Sequence, residues 1–78
     1  MHFVYILSSE SGEHFYVGLT GNVESRLKAH NAGQVAHTAK FKPRTLKSYI
    51  AFENRDRAAL FESYLKSGSG RAFAKKHL

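Results

Sequence analysis

The stretch that decides the fold is HFVYILSSESGEHFYVGLT, residues 2–20. Residues 2–8 are nearly all apolar or aromatic on both alternating sides, which predicts a strand covered on two faces at the centre of a sheet. Residues 8–13 are polar and contain Gly12, a turn signal. Residues 15–20 are a second β-rich run. We therefore predict a β-hairpin over residues 2–20.

A helix should follow the hairpin. Asn22 is a suitable N-cap, and Gly33 is a suitable residue just beyond the last turn. These signals predict a helix over about residues 22–32. Residues 34–44, QVAHTAKFKPR, show no periodicity and carry several basic side chains. We expect an exposed basic loop there, and loops of this length in small domains usually serve a function.

A third strand is predicted next, over residues 46–52, where alternation places Leu46 on the same side as Ile50 and Phe52. Further helices should follow, so the chain order is ββαβα(α). We predict one α+β domain over residues 1–78, in which helices flank a small three-stranded, mostly antiparallel sheet.

The end of the chain should contain a helix, a break and a short terminal helix. Asn54 or Asp56 is the expected cap of the first of these helices. Gly68 and Gly70 should break it. Residues 71–77 should then form the terminal helix.

Composition narrows the possible functions. The chain has 78 residues and no cysteine, so disulfides and thiolate metal sites are excluded. Twelve Lys and Arg against six Asp and Glu give a net charge of +6, which favours a polyanionic partner, with ordinary solubility charge as the alternative. The apolar run near the start is shorter than the roughly 20 residues that span a bilayer, and no charged segment precedes it. We expect a cytoplasmic protein that does not bind membranes.

The first predicted helix carries two reactive side chains beside its apolar residues. Arg26 and His30 are four residues apart and share an arc of about 100° with Val23 and Leu27. A guanidinium suits phosphate oxygens, and an imidazole can move a proton near neutral pH. The alternative is that Arg26 extends to solvent over an aliphatic neighbour and that His30 is a satisfied boundary residue.

Four other positions are candidates. Tyr5 and Tyr16 come from adjacent strands, where they either pack together or hold and deprotonate a water. Gly18, on the face of Tyr16, would let a group approach the backbone closely. Glu62 is either a ligand for Mg²⁺ or the partner of Lys66 in a helix ion pair.

Other catalytic patterns are missing from the sequence. The five histidines lack the spacing of zinc ligands. There is no glycine-rich phosphate loop. The serines near the predicted turn have no triad partners.

These residues together resemble the GIY-YIG nuclease family over essentially the whole chain. The first family motif matches residues 3–5, FVY, and the second matches residues 16–18, YVG. The catalytic arginine of the family corresponds to Arg26, and the His or Tyr four residues later corresponds to His30. The metal-binding glutamate corresponds to Glu62. The ending LKSGSGRAFAKKHL also resembles small bacterial members that consist of little more than this domain.

The resemblance implies a metal-dependent endonuclease that hydrolyses phosphodiester bonds in DNA, and DNA is favoured over RNA as the partner. Structured, damaged or single-stranded DNA are the candidate substrates. Glu62 would hold Mg²⁺ or Mn²⁺, and Arg26 would stabilise charge on the phosphoryl oxygens. Tyr5 is the first candidate for positioning or deprotonating the attacking water, with Tyr16 and His30 assisting. Tyr16 as the base is the alternative.

The predicted binding surface is basic, and its phosphate contacts would come mainly from the loop. Phe3 stands where the family name has Gly, so the shape near the site should differ. No appended DNA-binding domain lies within these 78 residues. The alternative function is a catalytically weak nucleic-acid-binding module of the same fold, and a third is a domain that needs a protein partner to deliver its substrate. The substrate-binding candidates are Gly18, Lys40, Lys42, Arg44 and Lys66.

Overall fold

The computed structural model describes residues 1–9, 15–33 and 44–78, with the side chains of all of these but Arg44. The elements are β1 (His2–Ser9), β2 (Phe15–Thr20), α1 (Val23–Asn31), β3 (Arg44–Phe52), α2 (Arg55–Leu65) and α3 (Gly68–His77). This order of strands and helices confirms the predicted α+β class. No helix among the described residues is both long enough and apolar enough to cross a membrane.

Strand β1 lies at the centre of a three-stranded antiparallel sheet, between β2 and β3. Its four middle residues, from Val4 to Leu7, are each at most 4% exposed. The prediction of a central strand covered on both faces is therefore confirmed. In this register Tyr5 lies opposite Gly18 on β2 and opposite Tyr49 on β3.

Helices cover both faces of the sheet. On one face, Val4 and Ile6 of β1 form the hydrophobic core with Ala58 and Leu65 of α2. Each large aliphatic side chain buried in such a core contributes about 1.5–3 kcal/mol. The opposite face carries Tyr5, which hydrogen-bonds a side chain of α1. The two faces therefore have different roles, an apolar core on one and a polar cluster on the other.

Local signals fix the ends of the helices. Asn22 Oδ1 accepts a hydrogen bond from the backbone N–H of Ser25 at 2.9 Å, and this bond caps the N-terminus of α1. Asn54, one of the two caps predicted for α2, accepts from the N–H of Arg57 at 3.1 Å. Gly33 has a φ of 77°, the left-handed conformation that glycine adopts readily after a helix. These caps confirm the predicted helix starts.

A register shift interrupts the alternation of β3. Ile6 pairs with Ser48, but Leu7 pairs with Leu46, so β3 contains one extra residue at this point, as in a β-bulge. Because paired residues point to the same face, Leu46 lies on the face of Leu7. The prediction that it shares a side with Ile50 was wrong, since the bulge reverses the alternation between them.

The break between α2 and α3 comes before the glycines. Helix α2 ends at Leu65 and α3 begins at Gly68, so Gly68 and Gly70 belong to the first turn of α3 and the predicted break at these residues was wrong. Ser67 Oγ caps α3 by accepting from the N–H of Gly70 at 3.1 Å. A Cβ on Gly70 would overlap the backbone carbonyl oxygen of Tyr64. Glycine is needed there because two helix backbones meet.

Candidate active site

The Tyr5 hydroxyl is the centre of a polar cluster under α1. Tyr5 is 1% exposed and His30 is fully buried. Nε2 of His30 lies 2.9 Å from the Tyr5 hydroxyl oxygen, and Arg26 Nε donates to the same oxygen at 3.4 Å. An unpaired buried polar group costs about 1–3 kcal/mol, so these bonds stabilise the buried position. His30 is thus an interior residue rather than the boundary residue of the alternative reading.

The direction of the bond between Tyr5 and His30 follows from the available donors. A guanidinium has donors only, so the Tyr5 oxygen accepts from Arg26. Among the described residues, the phenolic hydrogen then has one acceptor, Nε2 of His30. Buried donors are almost always paired. We therefore assign Tyr5 as the donor and His30 as the acceptor at Nε2.

Tyr16 packs beside this pair. Its ring centroid lies 4.7 Å from that of His30, in an edge-to-face arrangement, and 6.2 Å from that of Tyr5. Tyr16 is only half-buried. The Tyr16 hydroxyl adds to the rise in the pKa of Arg26, after the larger effect of Tyr5. We call these four side chains, Tyr5, Tyr16, Arg26 and His30, the tyrosine cluster.

Burial controls the ionisation of the cluster. It raises the pKa of Tyr5 above its ordinary value, and the hydrogen bond from Arg26 offsets only part of this rise. The negative charge of Glu62 adds to the rise in the Tyr5 pKa. The pKa of Arg26 is also raised, first by its hydrogen bond to the Tyr5 hydroxyl. At neutral pH Tyr5 is therefore a neutral phenol and Arg26 is a cation.

Gly18 makes room for Tyr5. The two residues are paired across β1 and β2, and a Cβ at Gly18 would overlap the Tyr5 hydroxyl. The sequence predicted a close approach to this backbone, and the group that approaches is the tyrosine side chain. A direct contact between Gly18 and substrate stays a prediction.

Glu62 lies on α2, where it pairs with Lys66. Its Oε2 accepts from Lys66 Nζ at 3.4 Å, and the two side chains are 22% and 57% exposed respectively. Such a partly exposed pair contributes about 0–1 kcal/mol. The ion pair that i, i+4 spacing predicted is present. The negative charge of Glu62 also contributes to the raised pKa of Tyr5, and the metal-binding role of Glu62 stays a prediction.

The other predicted phosphate contacts are described only in part. Lys40 and Lys42 lie outside the described residues, as does the rest of the predicted basic loop up to residue 43. The backbone of Arg44 begins β3 and pairs with Ser9. The role of these cations in binding stays a prediction.

A single divalent cation suits the donors at Glu62. The described residues contain no group of three or more His, Asp or Glu side chains that could hold a metal, so that part of the chain offers no all-protein metal cage. Mg²⁺ keeps several waters and takes one or two carboxylates together with substrate phosphate oxygens. One partly exposed carboxylate meets that requirement.

A cavity of about 530 Å³ opens on the same sheet face as the tyrosine cluster. Its lining includes Phe3 on β1, Leu27 on α1, and Leu46 and Tyr49 on β3. Sequence reasoning did not select Tyr49 as a functional residue. The alternation of β3 was the available signal, because it assigns Tyr49 to one face of the strand. The position of Tyr49 opposite Tyr5 depends on the strand register, which the sequence does not give.

The fold and the tyrosine cluster fit the family that the sequence resembles, and comparison with known sequences identifies the same family. The sequence matches the GIY-YIG catalytic domain family over residues 1–76. The chain therefore belongs to the GIY-YIG nuclease family, as predicted.

Similar proteins carry the name UPF0213. The chain is 42% identical over 67 residues to UPF0213 protein CPE1444 of Clostridium perfringens, covering 85% of this chain and 71% of that protein. It is 39% identical over 67 residues to UPF0213 protein HQ_3675A of Haloquadratum walsbyi, covering 85% and 74%. The solution NMR structure of UPF0213 protein BH0048 from Bacillus halodurans matches with a TM-score of 0.58 and 32% identity, over 95% of this chain and 79% of that one. These names state no activity or substrate.

Proposed function

We propose that this protein is an endonuclease that hydrolyses phosphodiester bonds in nucleic acid, with DNA favoured over RNA as the substrate class. The observation that carries this proposal is the hydrogen bonding of Arg26. Its Nε donates to the Tyr5 hydroxyl at 3.4 Å, and the residue is otherwise exposed. A guanidinium that is hydrogen-bonded at one nitrogen and otherwise exposed can bind an anionic substrate.

Arg26 would bind and stabilise the reacting phosphate. A guanidinium has five N–H donors in a rigid fork, and its Nε is already held by the Tyr5 hydroxyl. The remaining donors can contact two phosphoryl oxygens at once. A charge that is oriented before substrate binds needs little reorganisation as negative charge grows on those oxygens.

We assign the attacking water to Tyr16 rather than to Tyr5, which was the first candidate from the sequence. Tyr5 is buried, its hydroxyl is engaged by two partners, and its raised pKa keeps it a phenol. Tyr16 is half-buried beside Arg26, so its hydroxyl oxygen can accept a hydrogen bond from a water. Tyr5 and His30 then act as positioning residues for Arg26 and Tyr16.

Glu62 would hold Mg²⁺ or Mn²⁺. A bound divalent cation supplies charge neutralisation at the scissile phosphate and at the leaving oxygen. The net charge of +6 supports binding of a polyanion, and Lys40, Lys42 and Arg44 would contact the flanking phosphates. A cytoplasmic location remains a prediction.

The variant Glu62→Gln tests the metal-dependent reaction. Purified protein is incubated with a panel of DNA and RNA structures in Mg²⁺, Mn²⁺ or EDTA. We expect cleavage only with a metal, and a loss of about 10²-fold or more in Glu62→Gln, because the charge that holds the cation is removed. Affinity for DNA should stay level or rise, since a negative charge near phosphate has gone. Glu53→Gln makes the same change at an exposed glutamate and should cleave like the unmodified protein.

Two outcomes would contradict the proposal. A large fall in melting temperature of Glu62→Gln, with cleavage lost only in proportion to the folded fraction, would make the pair with Lys66 a structural one. A panel without any cleavage at high protein concentration would instead favour the catalytically weak binding module.

A further inference from the structure

We propose that the cavity beside the tyrosine cluster binds one unpaired nucleobase of the substrate, stacked on the ring of Tyr49. The inference rests on the proposed function and deepens it, because it names the substrate class. The enzyme would act next to nucleotides whose bases are free of a duplex stack.

An aromatic shelf, formed by Phe3 and Tyr49, lies on the same sheet face as Tyr5. The two rings meet edge to face, with centroids 5.7 Å apart and an interplanar angle of 64°. Tyr49 is 54% exposed although it is a large aromatic side chain. The contact with Phe3 limits the motion of the Tyr49 ring, so less side-chain entropy is lost when a ligand stacks on it. The shelf depends on Phe3, which stands where the first family motif has a glycine.

The cavity at this shelf suits a base better than a phosphate. Its volume of about 530 Å³ lies within the roughly 300–1,000 Å³ of small-ligand sites. Leu27 and Leu46 contribute apolar surface, and Asn22 and Glu24 contribute polar atoms. The Glu24 carboxylate, which pairs with Lys28 at 3.8 Å, can accept a hydrogen bond from the amino group of a base. A nucleobase combines apolar faces with polar edges, which matches this lining.

The cavity lies beside the tyrosine cluster on the same sheet face, although none of the four cluster residues lines it. Tyr49 is the direct pairing partner of Tyr5 on the neighbouring strand. Phe3 precedes Tyr5 by two residues on the same face, a separation of about 7 Å along a strand. A nucleotide with its phosphate at Arg26 can therefore place an adjacent base on the shelf. A base inside an intact duplex is stacked between its neighbours and must leave the stack first.

The variant Tyr49→Ala tests the shelf by binding alone. Affinity is measured in EDTA for a labelled single-stranded DNA and for the blunt duplex of the same sequence. Loss of one base–aromatic stack should weaken single-strand binding by about 5- to 100-fold and leave duplex binding unchanged. Tyr49→Phe keeps the ring and should keep the affinity. Phe15→Ala removes another exposed aromatic, 55% exposed, on the opposite sheet face, and should change neither affinity.

Several results would overturn the inference: equal losses for single strand and duplex in Tyr49→Ala, an equal loss in Phe15→Ala, or single-strand binding that does not depend on Tyr49. The test is independent of cleavage. A protein that binds single strands through Tyr49 but cuts nothing would keep the inference and remove the proposed reaction. An active nuclease without dependence on Tyr49 would remove the inference alone.

Discussion

A single hydroxyl group connects the side chains of the tyrosine cluster. Tyr5 accepts from Arg26 and donates to His30 inside the protein, so it fixes the orientation of both. Its ring also contacts that of Tyr16. The stability of the site and its geometry therefore depend on the same group, and one substitution affects both.

The variant Tyr5→Phe keeps the ring and removes this hydroxyl. We expect a loss of about 1–3 kcal/mol in the free energy of unfolding at neutral pH, because Nε2 of His30 loses its buried partner. Cleavage should fall further than the folded fraction, since Arg26 is no longer held along one edge. Urea unfolding and initial cleavage rates measure the two effects. A variant that is as stable and as active as the parent would contradict the assigned hydrogen bonds.

The same variant should alter the response to alkaline pH. The pKa of Tyr5 is higher in the folded protein than in the unfolded chain, where it is about 10. Above pH ~10 the unfolded chain loses this proton first, so the free energy of unfolding falls until the folded pKa is passed. Below pH ~10 the contribution is fully present. In Tyr5→Phe the fall above pH ~10 should be shallower, and equal slopes in urea titrations would count against the raised pKa.

At the scale of elements, short junctions set the geometry of the site. The pairing of β2 with β1 places Gly18 under the Tyr5 ring. The cap at Asn22 begins α1, which directs Arg26 and His30 toward the same tyrosine. The packing of α2 on the other face positions the element that carries Glu62. The strand pairing depends on the small size of Gly18, and the start of α1 depends on the capping group of Asn22.

Gly18→Ala should disturb the site through packing alone. The new Cβ would overlap the Tyr5 hydroxyl, so the tyrosine must move and its bond to His30 must break. We expect a loss of about 1–3 kcal/mol in unfolding free energy together with a loss of cleavage. Gly21→Ala is the matched control for stability, because a Cβ there meets nothing within 4 Å. Melting temperatures of the two variants that coincide would exclude the predicted overlap.

Gly70→Ala should separate α2 from α3. Its Cβ would overlap the carbonyl oxygen of Tyr64. Because this oxygen belongs to the helix backbone, it cannot move aside as easily as the end of a side chain can. We expect a loss of about 1–3 kcal/mol, measured by thermal unfolding. Gly68→Ala, in the same helical turn but with open space around the new Cβ, should be neutral or gain up to about 1 kcal/mol. Equal melting temperatures for Gly70→Ala and Gly68→Ala would show that the contact between α2 and α3 is misassigned.

At the scale of the whole molecule, net charge should dominate affinity. Six excess positive charges on 78 residues favour contacts with phosphates, which carry no sequence information. Only the proposed shelf at Tyr49 would add a preference, and that preference concerns strandedness rather than sequence. Binding should therefore be strongly salt-dependent and weakly sequence-specific.

Replacing Lys40, Lys42 and Arg44 with Ala should weaken binding to all sequences alike. The slope of log affinity against log salt should become shallower by nearly one unit for each lost phosphate contact. The control is the pair Lys75→Ala and Lys76→Ala in the last turn of α3, which lowers net charge outside the proposed contact segment and should keep the slope. An unchanged slope in the triple variant would place the binding face elsewhere.

Much of the fold was predictable because its determinants are local. The apolar run of β1 required burial on both faces. The caps at Asn22 and Asn54 and the positive φ of Gly33 involve groups at most three or four residues from the ends of the helices. Helix starts and the central strand could therefore be predicted from neighbouring residues alone.

The sequence by itself thus determined the elements and their order, and it predicted the family positions, including Arg26 and Glu62. Only the tertiary structure decided how the site is assembled. The bond between Tyr5 and His30 joins residues 25 positions apart, and the face of Leu46 depends on a bulge between two strands. The need for glycine at position 70 arises from a neighbouring helix. Burial, register and close approach are properties of pairs of distant residues, and they exist only when the elements pack together.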